Sequence, residues 1–188
     1  MKVFDQSELK KLYKPDINSS GEQNGQVTII GGSRLFHGAP ILSLKVASRI
    51  VDMVYFASPE PSVGSVAERI KTKLLSFIWI PWDDLDAYIE KSDAVLIGPG
   101  MMRYGSEKRD VRSEKELDGD GGKTREITER LLKKFPDKKW VIDAGSLQTM
   151  DAEWIPENAI ITPNLKEFEI LFDVKIQDLR FKIQDIEC

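Results

Sequence analysis

Gln26-Val27-Thr28-Ile29-Ile30-Gly31-Gly32-Ser33 decides the fold. Its β-branched run between Gly25 and the glycine pair has the continuity of a strand buried on both faces, the condition of strands in a parallel sheet. The glycines then turn the chain into a helical pattern over residues 38–50. Pro40 suits that helix's first turn, and Leu42, Val46 and Ile50 repeat at i, i+4 and i+8. The unit recurs. Strand patterns over 52–57, 76–80, 93–97, 139–143 and 159–162 alternate with helical patterns over 62–74, 83–90 and 165–172. A further helix begins at Thr124, read as its N-cap, with Ile127, Leu131, Leu132 and Phe135 on one face. Such alternation predicts an α/β protein: an open, mostly parallel sheet with helices on both faces.

At 188 residues the chain is expected to form a single domain, 1–188, large enough to fold without cross-links. Lys and Arg total 27 against 31 Asp and Glu, a net charge of −4, which argues against a nucleic-acid or anionic-membrane partner. One cysteine, Cys188, and one histidine, His37, exclude a disulfide framework and a Cys-based zinc site within the chain. The N-terminus has no apolar signal core, and no apolar run reaches membrane-spanning length, so a cytoplasmic location is expected. Residues 106–123 hold 6 acids and 5 bases with only Val111 and Leu117 apolar, and read as a charged surface loop.

In an open α/β sheet, ligands bind beyond the carboxyl ends of the strands, where the strand order reverses. Four segments directly follow strands: Gly31-Gly32-Ser33 through His37-Gly38-Ala39-Pro40, Gly98-Pro99-Gly100-Met101, Asp143-Ala144-Gly145-Ser146-Leu147, and Thr162-Pro163-Asn164 through Glu167-Phe168. Each turn of this type offers backbone N–H groups to an anion and, where glycine stands, close approach to the main chain. Each also has a plain structural reading. In that reading the glycines only turn the chain, Asp143 caps a helix, and Asn164-x-x-Glu167 has the spacing of a capping box. Gly121-Gly122-Lys123-Thr124 mimics a P-loop but has Leu117 where the first glycine belongs and no strand before it.

Taken together and in order, TIIGGSRLFHGAPILS, DAVLIGPGM, VIDAGSL and ITPNLKEFEILF resemble the ADP/ATP-dependent NAD(P)H-hydrate dehydratases of ribokinase-like fold, from about Gly25 to Phe172. The resemblance implies a metabolite-repair lyase that dehydrates NAD(P)H hydrate to NAD(P)H at the expense of ADP or ATP with Mg2+. It assigns Ala39, Gly98, Gly100 and Asn164 to the damaged dinucleotide, Asn164 standing where the family has His, and Asp143 and Glu167 to the phosphate and metal region. Met102 replaces a family glycine. The family's later GTGD motif, whose Asp would be the catalytic base, is not found before Cys188, so the resemblance implies a chain truncated before it, with no catalytic residue of its own and no protein ligands for a metal. A homo-oligomer or a complementing C-terminal fragment is then the expected partner, besides the dinucleotide and adenine nucleotide. Two other readings remain: a small-alcohol kinase of the same fold, and a dinucleotide-binding remnant without activity.

Overall fold

The computed structural model describes residues 5–103 and 119–175. Six strands form one sheet: β1 (Gln26–Ile30), β2 (Met53–Ala57), β3 (Ile78–Trp79), β4 (Ala94–Ile97), β5 (Lys139–Ile142) and β6 (Ile160–Ile161). Their order is β3-β2-β1-β4-β5-β6, and every neighbouring pair is parallel. The chain builds outward from β1 to one edge, then returns to build from β4 to the other. The order therefore reverses between β1 and β4, which is where this architecture opens a crevice.

Alternate residues of each strand feed two cores. On one face Ile29, Val54 and Phe56 pack with Leu44 of α1 (Gly38–Ala47) and with Val63 and Ala67 of α2 (Pro61–Ile70). On the other, Ile30, Val95, Ile97, Trp140 and Ile142 meet Leu85 and Ile89 of α3 (Leu85–Lys91), Leu131 and Leu132 of α4 (Gly119–Lys134), Leu147 of α5 (Ala144–Thr149) and Leu171 of α6 (Leu165–Phe172). The two faces are not equally covered. The in-register row Phe56, Ile29, Leu96, Val141, Ile160 lies on the face of α1 and α2, which sit over β1, β2 and β3. Phe56 and Ile29 are sealed, Leu96 and Val141 are half-buried, and Ile160 is 62% exposed.

Several expectations change. Leu42, Val46 and Ile50 were read as the helix's apolar repeat, but they are exposed and Pro40 and Leu44 face the sheet instead. The helix itself ends at Ala47, α2 ends at Ile70, and β3 is only two residues long. Thr124 is not an N-cap: α4 begins five residues earlier, and residues 119–123, read as loop, form its opening turns. Small residues make that possible. Gly121, Thr124 and Thr128 are buried on α4, and the Thr128 hydroxyl lies 2.9 Å from that of Ser146 on α5. The Arg34–Asp120 ion pair at 3.1 Å also ties this turn to the loop after β1. Residues 106–118 of the expected charged loop lie outside the described residues. Among the described residues, no helix is long and apolar enough to cross a membrane.

α3 and α4 are joined by Asp86, which accepts from Arg130 at 2.9 and 3.0 Å and from Lys134 at 2.8 Å. Burial alone would raise the Asp86 pKa, but the hydrogen bonds and charges of Lys134 and Arg130 outweigh it and hold the carboxyl below its ordinary value. A lowered carboxylate pKa stabilises the fold above the unfolded-state value and loses that contribution as pH falls through the folded one. Asp86→Asn should therefore cost about 1 kcal/mol at pH 7, since the pair is partly exposed. The gap between the melting curves of the two proteins should narrow as the pH falls below the ordinary carboxylate range.

Candidate functional site at the strand crests

The four motif segments leave the carboxyl ends of β1, β4, β5 and β6, four adjacent strands. Their main chains are interlocked. Gly32 N–H donates to Pro99 O at 2.8 Å, Asp143 N–H to Ile97 O at 3.0 Å, and Gly145 N–H to Gly98 O at 3.3 Å. A Cβ on Gly31 would collide with Pro99 O, one on Gly98 with Asp143 O, and one on Gly145 with Met101 O. Gly98 and Gly100 also have φ of +113° and +72°, a conformation costly to any residue with a side chain. These glycines are required for one backbone to lie against the next.

That packing corrects the expectation of many free N–H groups. Those of Gly32, Ser33, Met101, Asp143 and Gly145 are already bonded within the crest. The opening of α1 differs: Gly38 and Ala39 are in its first turn, where N–H groups have no helical acceptor, and His37 gives no side-chain cap. Ala39 is exposed, and its neighbour Pro40 is packed against Gly31 and Gly100. Ala39 and Gly100 are therefore brought to one place. Asn164 follows β6, two strand spacings or about 10 Å from the end of β4. It shares the crest with Gly100.

Asp143 does not cap α5 through its side chain; its Oδ1 accepts from the Thr162 hydroxyl at 2.8 Å, tying β5 to β6. The next residue, Ala144, takes φ of +44°, a strained value for a non-glycine. Asn164 and Glu167 do form the capping box: Asn164 Oδ1 accepts from Glu167 N–H at 3.0 Å, and Glu167 Oε2 accepts from Asn164 N–H at 2.9 Å. Glu167 Oε1 accepts from Gln148 Nε2 at 2.9 Å, and the residue is 7% exposed. Both its oxygens are thus engaged by the protein. Among the described residues no three His, Cys, Asp or Glu side chains cluster as metal ligands. Magnesium on a nucleotide needs only one or two carboxylates besides phosphates and water, and Asp143 is the one acid here that fits.

Sequence reasoning did not single out Thr162 or Gln148 as partners of these acids. A hydroxyl two residues before Asn164 carries a weak signal, and Gln148 carries none, because its partner is on another helix. The Gly121-Gly122-Lys123-Thr124 stretch lies within α4, which agrees with its rejection as a P-loop.

The NAD(P)H-hydrate dehydratase family model matches residues 27–186. The chain is 33% identical over 174 residues to a bifunctional NAD(P)H-hydrate repair enzyme of Methanocaldococcus jannaschii, covering 87% of this chain and 31% of that one. It is 29% identical to an ADP-dependent (S)-NAD(P)H-hydrate dehydratase of Nitrosopumilus maritimus, with coverage of 87% and 55%. An ATP-dependent (S)-NAD(P)H-hydrate dehydratase of Drosophila pseudoobscura is 27% identical, with coverage of 86% and 51%. The chain thus spans about a third to a half of these relatives. A ribokinase-like superfamily protein of Enterococcus faecalis superposes with a TM-score of 0.66 at 18% identity, covering 94% of this chain and 61% of that one, and so shares its fold.

Gly98→Ala should destabilise the chain by about 3 kcal/mol or more, because the added methyl meets backbone on a strained residue. Gly38→Ala meets nothing within 4 Å and should stabilise by roughly 0.5–1 kcal/mol. Urea unfolding of both variants measures the contrast.

Proposed function

The chain belongs to the NAD(P)H-hydrate dehydratase family, and from that premise we propose that its crest binds NAD(P)H hydrate for ADP- or ATP-dependent dehydration to NAD(P)H. One observation carries this: the four family-like segments end four adjacent strands, at and beside the reversal between β1 and β4. Ala39, Gly98, Gly100 and Asn164 are proposed to contact the dinucleotide. Gly98 and Gly100 fit the turn after β4 against its neighbours, the first turn of α1 offers its N–H groups, and Asn164 supplies a side-chain amide.

In the reaction, the C6 hydroxyl of the hydrated ring takes the terminal phosphoryl group of ADP or ATP and gives up its proton. The C6–O bond then breaks to release phosphate, driven by the ring nitrogen's lone pair. Loss of a proton from C5 restores the C5–C6 double bond. Magnesium, when bound with the nucleotide, neutralises charge on the transferred phosphoryl. Asp143 is the residue proposed to face it. Glu167, proposed from sequence for the same region, instead orients Asn164, since both its oxygens accept hydrogen bonds within the protein.

We assign no catalytic base to the acids of the crest, and propose as partner a second copy of this chain or a complementing C-terminal fragment that would supply one. The apolar row ending in exposed Ile160 supports such a partner. A cytoplasmic location is the one proposed for this activity.

Absorbance at 340 nm measures recovery of NADPH from its hydrate with ADP or ATP and Mg2+. The chain should bind NADPH and its hydrate by titration, and Ala39→Trp should abolish that binding. Recovery should rise with protein concentration or on adding the C-terminal half of a related dehydratase. No binding of either dinucleotide at millimolar concentration would falsify the reading, and phosphorylation of a small alcohol instead would favour a kinase.

A further inference from the structure

Gln148 stands one residue past the Asp143–Leu147 motif, on the last turn of α5, with its side chain directed at another helix. Its Nε2 donates to Glu167 Oε1 at 2.9 Å. The polarity of this amide is fixed, because a carboxylate accepts only from the nitrogen end. Its oxygen end lies 3.5 Å from Arg103 Nη1, a contact at the limit of hydrogen bonding and of the sense expected for that orientation. The carboxylate it meets is buried, and a buried charge requires donors. Glu167 has two across its pair of oxygens, Gln148 Nε2 and the Asn164 N–H.

The other oxygen of the same carboxylate takes the Asn164 main-chain N–H at 2.9 Å. Asn164 Oδ1 faces the Glu167 N–H at 3.0 Å, so the opposite amide orientation would set two donors against each other. Among the described residues Asn164 Nδ2 has no hydrogen-bond partner, and the residue is exposed at the crest. The residue therefore offers a ligand the two N–H donors of Nδ2, beside an Oδ1 that already accepts one hydrogen bond. A ring nitrogen of His in that place donates or accepts according to its tautomer.

We propose that Gln148 is a positioning residue of the dinucleotide site. It holds the Glu167 carboxylate where that carboxylate takes the Asn164 main-chain N–H, and so keeps Asn164 in its cap geometry at the crest, where the ligand meets Nδ2 through an acceptor oxygen, of its carboxamide, ribose or phosphates. The proposal rests on the reading of the crest as the dinucleotide site. A Gln148 that only braced α5 against α6 would alter stability and leave affinity unchanged.

Titration of the chain with NADPH, read by quenching of tryptophan fluorescence, separates these roles when run as a double-mutant cycle. Gln148→Met keeps the length and shape of the side chain and removes the donor, and Asn164→Ser keeps a good N-cap and removes the reach of the amide. Each single variant should weaken NADPH binding about tenfold. Gln148→Met should add little further loss on the Asn164→Ser background, because the two residues act through one contact. Gln148→Glu, which sets a second carboxylate against Glu167, should bind more weakly than Gln148→Met and covers the case in which the methionine variant does not fold. Unchanged affinity in either Gln148 variant, or full additivity in the cycle, overturns the proposal while the crest remains the binding site. Failure of the unsubstituted chain to bind NADPH at millimolar concentration removes the site itself and the proposal with it.

Discussion

Contact of backbone on backbone between the turns that follow β1, β4 and β5 is the constraint from which the rest of this structure follows. Pro99 O, Asp143 O and Met101 O occupy the space where Gly31, Gly98 and Gly145 would otherwise carry a Cβ. Parallel strands are about 4.8 Å apart, and turns leaving them normally diverge into their helices before they touch. Here they touch first. Hydrogen bonds from Gly32 and Gly145 then fasten each turn to its neighbour. The crest behaves as one rigid rim rather than as four separate loops, and the side chains mounted on it inherit that rigidity. Asp143 is held by Thr162 from the next strand and Asn164 by the capping box of α6, so neither depends on loop order for its position.

The same packing limits how the crest can bind. Bonding the turns together uses the N–H groups that a phosphate would otherwise find there, and the means of recognition that remain are the first turn of α1 and the side chains of β5 and β6. Of those side chains, both oxygens of Glu167 and Oδ1 of Asp143 accept hydrogen bonds within the protein, which leaves the Asn164 amide as the main neutral donor. A binding surface of this kind suits a ligand with a flat ring and several acceptor oxygens better than one bound chiefly through its phosphates. That preference separates the crest from a phosphate-gripping glycine loop, although both are written with glycines in sequence.

Much of this was legible in the residues. Four β-branched residues followed by Gly31-Gly32 gave the central strand and its turn, and the alternation gave the sheet, here parallel throughout. What failed did so for identifiable reasons. The i, i+4, i+8 pattern of Leu42, Val46 and Ile50 specifies a helix but not which face is buried, and Pro40 and Leu44 decide that by fitting against the sheet. Gly119-Asp120-Gly121-Gly122 reads as a helix breaker, yet tertiary contact overrides the propensity, because a residue without a side chain lets α4 lie close to α5. At the site, the capping spacing of Asn164 and Glu167 was visible, whereas Gln148 was not. Hydrogen bonds between helices far apart in sequence leave no periodic trace.

The uneven cover of the sheet bears on the same rim. Along the row from Phe56 to Ile160, burial is lost strand by strand as the row passes beyond α1 and α2. Asp143 and Thr162 continue that row two residues onward from Val141 and Ile160, on the same face. A polypeptide that covered the apolar row would therefore end beside the one acid of the crest with bonding capacity to spare. The hydrophobic gain from covering the row would thus place the partner proposed above beside that carboxylate.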